Sequence, residues 1–184
     1  VESLVGLIPA GGGCKEMLWR WLQTPEGKEN SEHASMKVFD LIGYAITATS
    51  PNEALPNQFF LEKDKVVINR DRQLSTAIDL LNNIEGGYEK PSQPKFNLGG
   101  SAVRDKMFEK LEALYNENKI LDHGLEVGKQ IAFVLSGGNT NIDNELSEDD
   151  LYNLELEAFM RLIQMPKTQE RIKHTLETGK PLVN

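Results

Sequence analysis

Apolar residues recur at spacings of three and four positions along most of this 184-residue chain, while runs typical of β-strands are few. That spacing puts apolar side chains on one face of a helix, so the expected fold class is mainly α with one or two short strands. The predicted helices run from just after Gly11-Gly12-Gly13 to Leu22, Ser31 to about Ala48, a short turn from Ser50-Pro51-Asn52-Glu53, Arg70-Asp71 to Gly86-Gly87, Ser101 to about Asn116, Leu121 to Leu135, Leu151 to Met165, and Lys167 to about Thr178.

The segments between these helices carry few strand signals. Lys65 to Asn69 is the one good strand candidate, because it is short and β-branched. Thr24 to Asn30, with its proline and glycine, is predicted to be a loop, and Tyr88 to Gly100 an extended connection. On the helix from Leu151, two adjacent apolar rows are expected to be buried against more than one neighbour. The two rows are Leu151-Leu154-Ala158-Leu162 and Tyr152-Leu156-Phe159-Ile163, and the helix after Arg70 carries the row Leu74-Ile78-Leu81.

Charge and cysteine content exclude several classes of protein. Lys+Arg 20 against Asp+Glu 28 gives a formal charge of −8, which argues against nucleic acid or an anionic membrane as the main partner. The apolar stretches are far shorter than the roughly 20 residues of a membrane span. A single cysteine, Cys14, excludes an internal disulfide and suits a reducing compartment. We therefore expect a soluble, cytoplasmic protein.

The length fits one domain. Within it we distinguish a glycine loop with the first helix (1–30), helices with a short strand (31–100) and a C-terminal helical bundle (101–184). The apolar start at Val1 lacks both an initiator methionine and a charged segment typical of a signal peptide. The chain is therefore expected to be cut from something longer, by design or by proteolysis.

Three consecutive glycines, Gly11 to Gly13, precede the first predicted helix. Glycine lets a backbone approach a ligand closely, and the first amides of a helix are hydrogen-bond donors at a weakly positive end. Two interpretations remain open on this spacing alone: a flexible loop that caps the helix, and a ligand-binding loop. The segment is neither a phosphate-binding Walker loop nor a dinucleotide-binding Gly-x-Gly-x-x-Gly pattern.

The segment from Glu2 to Gly12 reads Glu-x-x-x-Gly-x-Ile-Pro-x-Gly-Gly and resembles the second signature of the crotonase family, the enoyl-CoA hydratases and isomerases. The remaining chain resembles the hydratase-like region at the C-terminal end of long bacterial 3-hydroxyacyl-CoA dehydrogenases. The stretches that carry this resemblance are Asp64 to Asp71, Ile131 to Gly138, Leu154 to Phe159, Pro166 to Ile172 and Thr178 to Leu182.

The resemblance implies the C-terminal half of an α/β crotonase-like fold and a role in fatty-acid β-oxidation. Glu2 matches the family's second catalytic carboxylate, which delivers or removes the proton at the substrate α-carbon. Pro9, Gly11 and Gly12 match the loop that lines the acyl and water site. An acyl-CoA thioester would be the substrate, and the other partners would be the rest of a parent chain and further copies of this chain in a homo-oligomer.

The resemblance also implies that other parts of the site lie outside these residues. The family's first carboxylate and its oxyanion-hole amides belong to the preceding half of the domain, and NAD would bind an upstream dehydrogenase part. Because losing one oxyanion-hole donor costs about 10²–10³ in rate, the chain alone is expected to be inactive. Ala10 replaces the family's usual glycine, and Val1 the proline common in stand-alone hydratases, so hydration and isomerisation both remain open. The alternative function is a non-catalytic helical module for oligomerisation or docking.

Four further candidates have simpler interpretations. Asn139 to Asp150 loosely resembles a calcium loop, but the ligand positions do not match, so no metal site is expected; Ser147 is predicted instead to cap the next helix, with Asp150 at the third position. His33, His123 and His174 lack metal-ligand spacing and are expected to be surface or capping groups. A helix start can lower the thiol pKa of Cys14, but no histidine lies near it in the sequence, so Cys14 is not expected to be a nucleophile. Basic residues of the last helix could contact CoA phosphates, although a solvated face is the default.

Overall fold

The computed structural model describes residues 2–84 and 88–184. Within these ranges the chain is mostly helical with two short antiparallel strands, which confirms the mainly α fold class. The described helices and strands are α1 Gly13–Leu22, α2 Pro25–Glu29, α3 Ser31–Gly43, α4 Pro51–Ala54, α5 Gln73–Asn82, β1 Lys95–Asn97, α6 Ser101–Asn116, α7 Asp122–Leu135, β2 Glu145–Ser147, α8 Glu148–Ile163 and α9 Pro166–Thr178.

The chain divides into two compact units. Residues 2–47 and 94–184 form the larger unit, and residues 48–93 form the smaller one. In the larger unit α7 is the central helix, since it packs against α1, α3, α6 and α8. Its buried side chains include Val127, Ile131, Val134 and Leu135. Each such side chain stabilises the fold by about 1.5–3 kcal/mol when fully removed from water.

The two strands are formed by residues outside the segment that is predicted to be a strand. Strand β1 runs antiparallel to β2 with Phe96 opposite Leu146, and the Phe96 side chain is completely buried. The prediction of a strand at Lys65 to Asn69 is wrong, because the structure describes no strand there and Ile68 is 97% exposed. A β-branched run forms a strand only where another strand offers a ladder of hydrogen bonds.

Two boundaries near the start of the chain differ from the predicted ones. The expected loop at Thr24 to Asn30 contains helix α2, whose first turn is capped by the Thr24 hydroxyl accepting a hydrogen bond from the Gly27 N–H. The same proline that ends α1 therefore also begins a helix, as proline readily does at the first position. Helix α3 ends at Gly43, earlier than expected, and Ala45 takes a left-handed conformation with φ 51°.

The smaller unit has almost no core. Helix α4 begins at Pro51 behind the Ser50 cap, which confirms the predicted helix start, and α5 confirms the helix expected after Arg70. Ala54 is the one buried residue among those described in this unit. The Leu74-Ile78-Leu81 row of α5 is exposed, with Leu74 at 73%. Glu85 and the Gly86-Gly87 pair predicted to close this helix lie outside the described residues, as does Val1.

The C-terminal helices follow the sequence closely. Ser147 caps α8 in a reciprocal capping box with Asp150, which confirms that prediction and places the start of α8 at Glu148. The first apolar row of α8 is largely buried, but the prediction is wrong for the second row, where Leu156 is 58% exposed. No helix in the described ranges is long and apolar enough to cross a bilayer.

Candidate functional site

Glu2 begins a 3₁₀ turn, Glu2–Val5, and its side chain is exposed. The turn is fixed on both sides: the Leu7 N–H donates to the Glu2 carbonyl at 2.9 Å, and the Ser3 hydroxyl donates to the Ile42 carbonyl at 2.9 Å. A hydrogen bond with the residue's own backbone amide lowers the pKa of the Glu2 carboxyl below its usual value. The carboxylate is therefore ionised at neutral pH, the form that accepts a proton.

An apolar cleft of about 270 Å³ opens beside this turn within the larger unit. It lies between the end of α3, the second half of α6, the first half of α7 and the C-terminal tail. Four of its lining side chains are apolar or aromatic and exposed to solvent, so the mouth of the cleft is apolar as well. These four are Leu4, Tyr44, Leu121 and Val183.

The lining of this cleft is mostly apolar but includes charged groups. Lys110 pairs with Asp40, and its ammonium group lies 5.7 Å from the centre of the Tyr44 ring. Arg171, only 6% exposed, also lines the cleft and donates a hydrogen bond to the Asn184 side chain at 2.8 Å. A mostly apolar cleft with a few polar groups suits a ligand with a hydrocarbon chain.

A carboxylate of this chain accepts hydrogen bonds from the end of the glycine loop. Glu155 of α8 accepts a hydrogen bond from the Gly12 N–H at 2.6 Å and another from the Lys15 N–H at 2.7 Å. These amides open α1, so Glu155 acts as its acidic cap. Gly11 differs from Gly12, because it is exposed and a Cβ there would meet no atom within 4 Å. Of the two open interpretations of the loop, helix capping is the one these contacts describe.

Glu155 is a residue that sequence reasoning missed. Its side chain is only 1% exposed, and burial raises the pKa of the carboxyl even though the two amides favour the charged form. The available signal was an acidic residue on the buried side of a helix, one turn after Leu151 and three residues before Ala158. Such a residue needs hydrogen-bond donors from another element.

Lys15 joins this cluster through its side chain. Its ammonium group donates to Glu148 at 2.7 Å and lies 5.3 Å from the centre of the Tyr152 ring. Burial opposes the charge on Lys15, but the hydrogen bond and the charge of Glu148 raise its pKa. The Lys15–Glu148 ion pair and the hydrogen bonds of Glu155 to the two amides thus fix the start of α1 against α8.

His123 links three elements around the same turn. The prediction of a surface or capping group is wrong for this residue, which is 4% exposed. Its Nε2 lies 2.9 Å from the Thr168 hydroxyl, which donates to the Gly6 carbonyl at 3.1 Å. The Thr168 hydroxyl uses its one proton to donate to Gly6, so it can only accept from His123. Nε2 of His123 therefore carries the hydrogen of this bond. Burial, followed by the charges of Arg171 and Lys167, lowers the pKa of His123.

Cys14 does not have the environment of a nucleophile. Its thiol is fully buried, and burial with the charges of Glu155 and Glu2 raises its pKa, the opposite of the lowering that a helix start can cause. No group of three or more metal-ligating side chains occurs among residues 2–84 and 88–184.

The structure distributes the predicted site residues over two places. Ser3 and Leu4, which follow Glu2 directly, line the apolar cleft, whereas Pro9, Gly11 and Gly12 are not among its lining residues. Gly12 packs close to Tyr152, where a Cβ would lie 3.1 Å from the ring. Glu2 itself does not line the cleft, although the two residues after it do, while Gly12 is hydrogen-bonded to Glu155.

A comparison with curated proteins found a relative named "Probable 3-hydroxyacyl-CoA dehydrogenase", from Bacillus subtilis (strain 168). The two are 33% identical over 185 residues, an alignment that covers 100% of this chain. No family model matches the chain. No solved structure matches it either. The similarity extends over the whole of this chain, which spans 23% of the length of the Bacillus relative.

Proposed function

We propose that this chain is part of a fatty-acid β-oxidation enzyme, a 3-hydroxyacyl-CoA dehydrogenase with an enoyl-CoA hydratase- or isomerase-like region acting on acyl-CoA thioesters. The observation that carries the proposal is the 33% identity to the Bacillus relative along the whole chain. NAD would bind a dehydrogenase part outside these residues. A cytoplasmic location accords with the buried, reduced thiol of Cys14.

We further propose that the larger unit belongs to the C-terminal half of a crotonase-like fold, with Glu2 in the role of the second carboxylate. Syn hydration of a conjugated thioester needs one group that deprotonates water and another that transfers the proton at the α-carbon. The lowered pKa keeps Glu2 ionised at neutral pH, as a proton acceptor must be, but it also makes the carboxylate a weaker base. Pro9 and Gly11 would line the path to the reacting carbons, while the Gly12 amide holds the loop through Glu155.

The apolar cleft would receive the acyl chain. Its volume of about 270 Å³ and its mostly apolar lining would fit a hydrocarbon tail, and its lining includes Ser3 and Leu4, the two residues after Glu2. The binding test uses octanoyl-CoA and free CoA with the 184-residue chain, measured by calorimetry. Leu121→Glu puts a charge into the mouth of the cleft and is expected to weaken octanoyl-CoA binding about tenfold or more. The matched control is Leu176→Glu, on an exposed leucine outside the cleft.

Equal binding of octanoyl-CoA and free CoA, unaffected by Leu121→Glu, would contradict the acyl site. The catalytic proposal has a separate test, crotonyl-CoA hydration by a longer chain that includes the upstream half of the proposed fold. Glu2→Gln should reduce the rate by several orders of magnitude with the fold intact, while Glu26→Gln, on an exposed residue of α2, should not change it. Activity of the 184-residue chain alone that Glu2→Gln abolishes would refute the expected dependence on the upstream half.

A second candidate function, assembly of copies of this chain, is favoured by one observation. In the smaller unit Leu74, Ile78 and Leu81 form an exposed apolar row on a helix with one charged residue, Asp79. Contiguous exposed apolar surface marks interaction sites. We propose that two copies pair through this row in a homo-oligomer. Sedimentation velocity should show dimers that Leu81→Glu dissociates and Leu176→Glu leaves intact; a monomer at all concentrations would overturn the proposal.

A further inference from the structure

A second groove, of about 410 Å³, lies in the larger unit where the surfaces of α6, α7 and α8 meet. It uses the face of α7 opposite to the apolar cleft, because residues 126, 129, 130 and 133 line the groove whereas residues 124, 127, 128 and 131 line the cleft. Its composition also differs from that of the cleft. Its lining residues are Arg104, Phe108, Glu126, Lys129, Gln130, Phe133, Glu157 and Arg161.

Two half-exposed aromatic rings in this groove each have a cation over the ring face. The Arg104 guanidinium lies 5.9 Å from the centre of the Phe133 ring, and the Lys129 ammonium lies 5.9 Å from the centre of the Phe108 ring. Phe108 belongs to α6 and Phe133 to α7, so the two pairs belong to adjacent helices. A guanidinium that lies over an aromatic ring offers a flat stacking surface and a positive charge to one ligand.

The charges in the groove are unequally compensated. Glu126 is engaged, since it accepts a hydrogen bond from Gln130 at 2.9 Å and pairs with Arg161 at 3.4 Å. Arg104 donates to neutral oxygens, the Gly138 carbonyl and the Asn139 side chain. In the described part of the chain, neither Arg104 nor Lys129 pairs with a carboxylate. Two cations therefore retain their charge at a groove of a protein whose formal charge is −8.

We propose that this groove binds a nucleoside phosphate. The base stacks on the Arg104 guanidinium that lies over the Phe133 ring, and the phosphate pairs with Lys129. The exposed Glu157 carboxylate at the edge of the groove accepts hydrogen bonds from the ribose hydroxyls. A volume of about 410 Å³ is in the usual range for small-molecule sites. The ligand has two sources: a free adenine nucleotide, or the nucleotide end of CoA.

The test measures ADP binding to the 184-residue chain by calorimetry, with adenosine and inorganic phosphate as partial ligands. ADP should bind saturably and more tightly than either part. Lys129→Gln should weaken ADP binding about tenfold, because a charge-assisted contact is lost. Phe133→Leu should weaken it by a similar factor, because it removes the ring under the Arg104 guanidinium on which the base stacks. Lys106→Gln is the matched control, since Lys106 lies on α6 outside the groove and pairs with Glu32.

Each outcome decides the proposal. Absence of saturable ADP binding at millimolar concentration overturns it, and so does inorganic phosphate binding as tightly as ADP with no effect of Phe133→Leu. Where ADP binds as expected, tighter binding of CoA identifies the nucleotide end of CoA as the occupant, and failure of CoA to compete identifies a free nucleotide. The result does not depend on hydratase activity or on the acyl cleft, because ADP carries no acyl chain.

Discussion

Helices α5 and α7 have the same kind of sequence and opposite surroundings. Both carry apolar residues at helical spacing, Leu74-Ile78-Leu81 in α5 and Val127-Ile131-Val134 in α7. In α7 these residues are buried against four other helices, whereas in α5 Leu81 is 67% exposed. The hydrophobic period thus predicts that a helix forms, but the neighbours that the chain provides decide whether its apolar side is covered.

Hydrogen exchange gives the largest expected difference between the two helices. Backbone amides of α7 should exchange only through global unfolding, while those of α5 should exchange by local opening, because few buried contacts hold α5. We expect protection factors that differ by orders of magnitude, measured by mass spectrometry on the 184-residue chain at low concentration. Equal protection in α5 and α7 would show that the apolar side of α5 is covered in solution.

Truncation of a leucine in each helix extends the comparison to free energies of unfolding. Leu135→Ala removes a completely buried side chain of α7 and should cost about 2–5 kcal/mol. Leu81→Ala in α5 should change the stability of the monomer by about 0.5 kcal/mol or less. Urea denaturation monitored by circular dichroism measures both. A cost for Leu81→Ala similar to that for Leu135→Ala contradicts the exposed position of Leu81.

The buried carboxylate of Glu155 gives the next effect in size, in the larger unit. Glu155→Gln replaces an acceptor oxygen by an amide donor that faces the N–H groups of Gly12 and Lys15. We expect a loss of about 1–3 kcal/mol in the free energy of unfolding, since buried donors are left unsatisfied. The control Glu157→Gln changes an exposed carboxylate two residues away and should have little effect. Equal stability of the two variants would contradict the capping role of Glu155.

His123 gives the smallest effect, a change with pH. Burial lowers its pKa from 6.5, so the unfolded chain binds the proton more readily than the folded chain. Stability from this group is therefore complete above pH 6.5 and is lost as the pH falls toward the lowered pKa. Relative to His123→Gln, the unaltered chain should lose stability on acidification in this window. The exposed His33→Gln is the control; identical pH profiles for all three chains would refute the assignment to His123.

Local features were the most predictable from the sequence. The Ser50 and Ser147 caps and the helices after them follow from the residues themselves, because a cap needs only groups a few positions apart. Thr24 followed by Pro25 is also a helix-start pattern, but the same proline ends α1, so the sequence predicts a loop there. The prediction of a strand at Lys65 to Asn69 is wrong because its β-branched residues have no partner strand in the described part of the chain.

The sites were less predictable than the helices. Residues 2–12 are near in sequence, and their resemblance to a family signature points to Glu2, Pro9, Gly11 and Gly12, whose roles stay predictions. The partners of that segment come from far along the chain: Glu155 reaches the Gly12 amide, and Thr168 reaches the Gly6 carbonyl. Contacts over such separations leave no periodic signal in a single sequence. The apolar cleft and the groove of Arg104 and Lys129 were inaccessible to sequence reasoning for the same reason.

By itself, the sequence determined the helical character of this protein, most helix boundaries and its acidic surface. It also pointed to the segment beginning at Glu2 as a candidate site. Only the tertiary structure decided that Glu155 fills the donor end of α1, that His123 is buried, and that α7 rather than α5 has a covered apolar side. The physical reason is how far apart in the sequence the interacting groups lie. Helix formation and capping depend on groups within about four residues, whereas burial, pKa shifts and clefts depend on which distant elements meet.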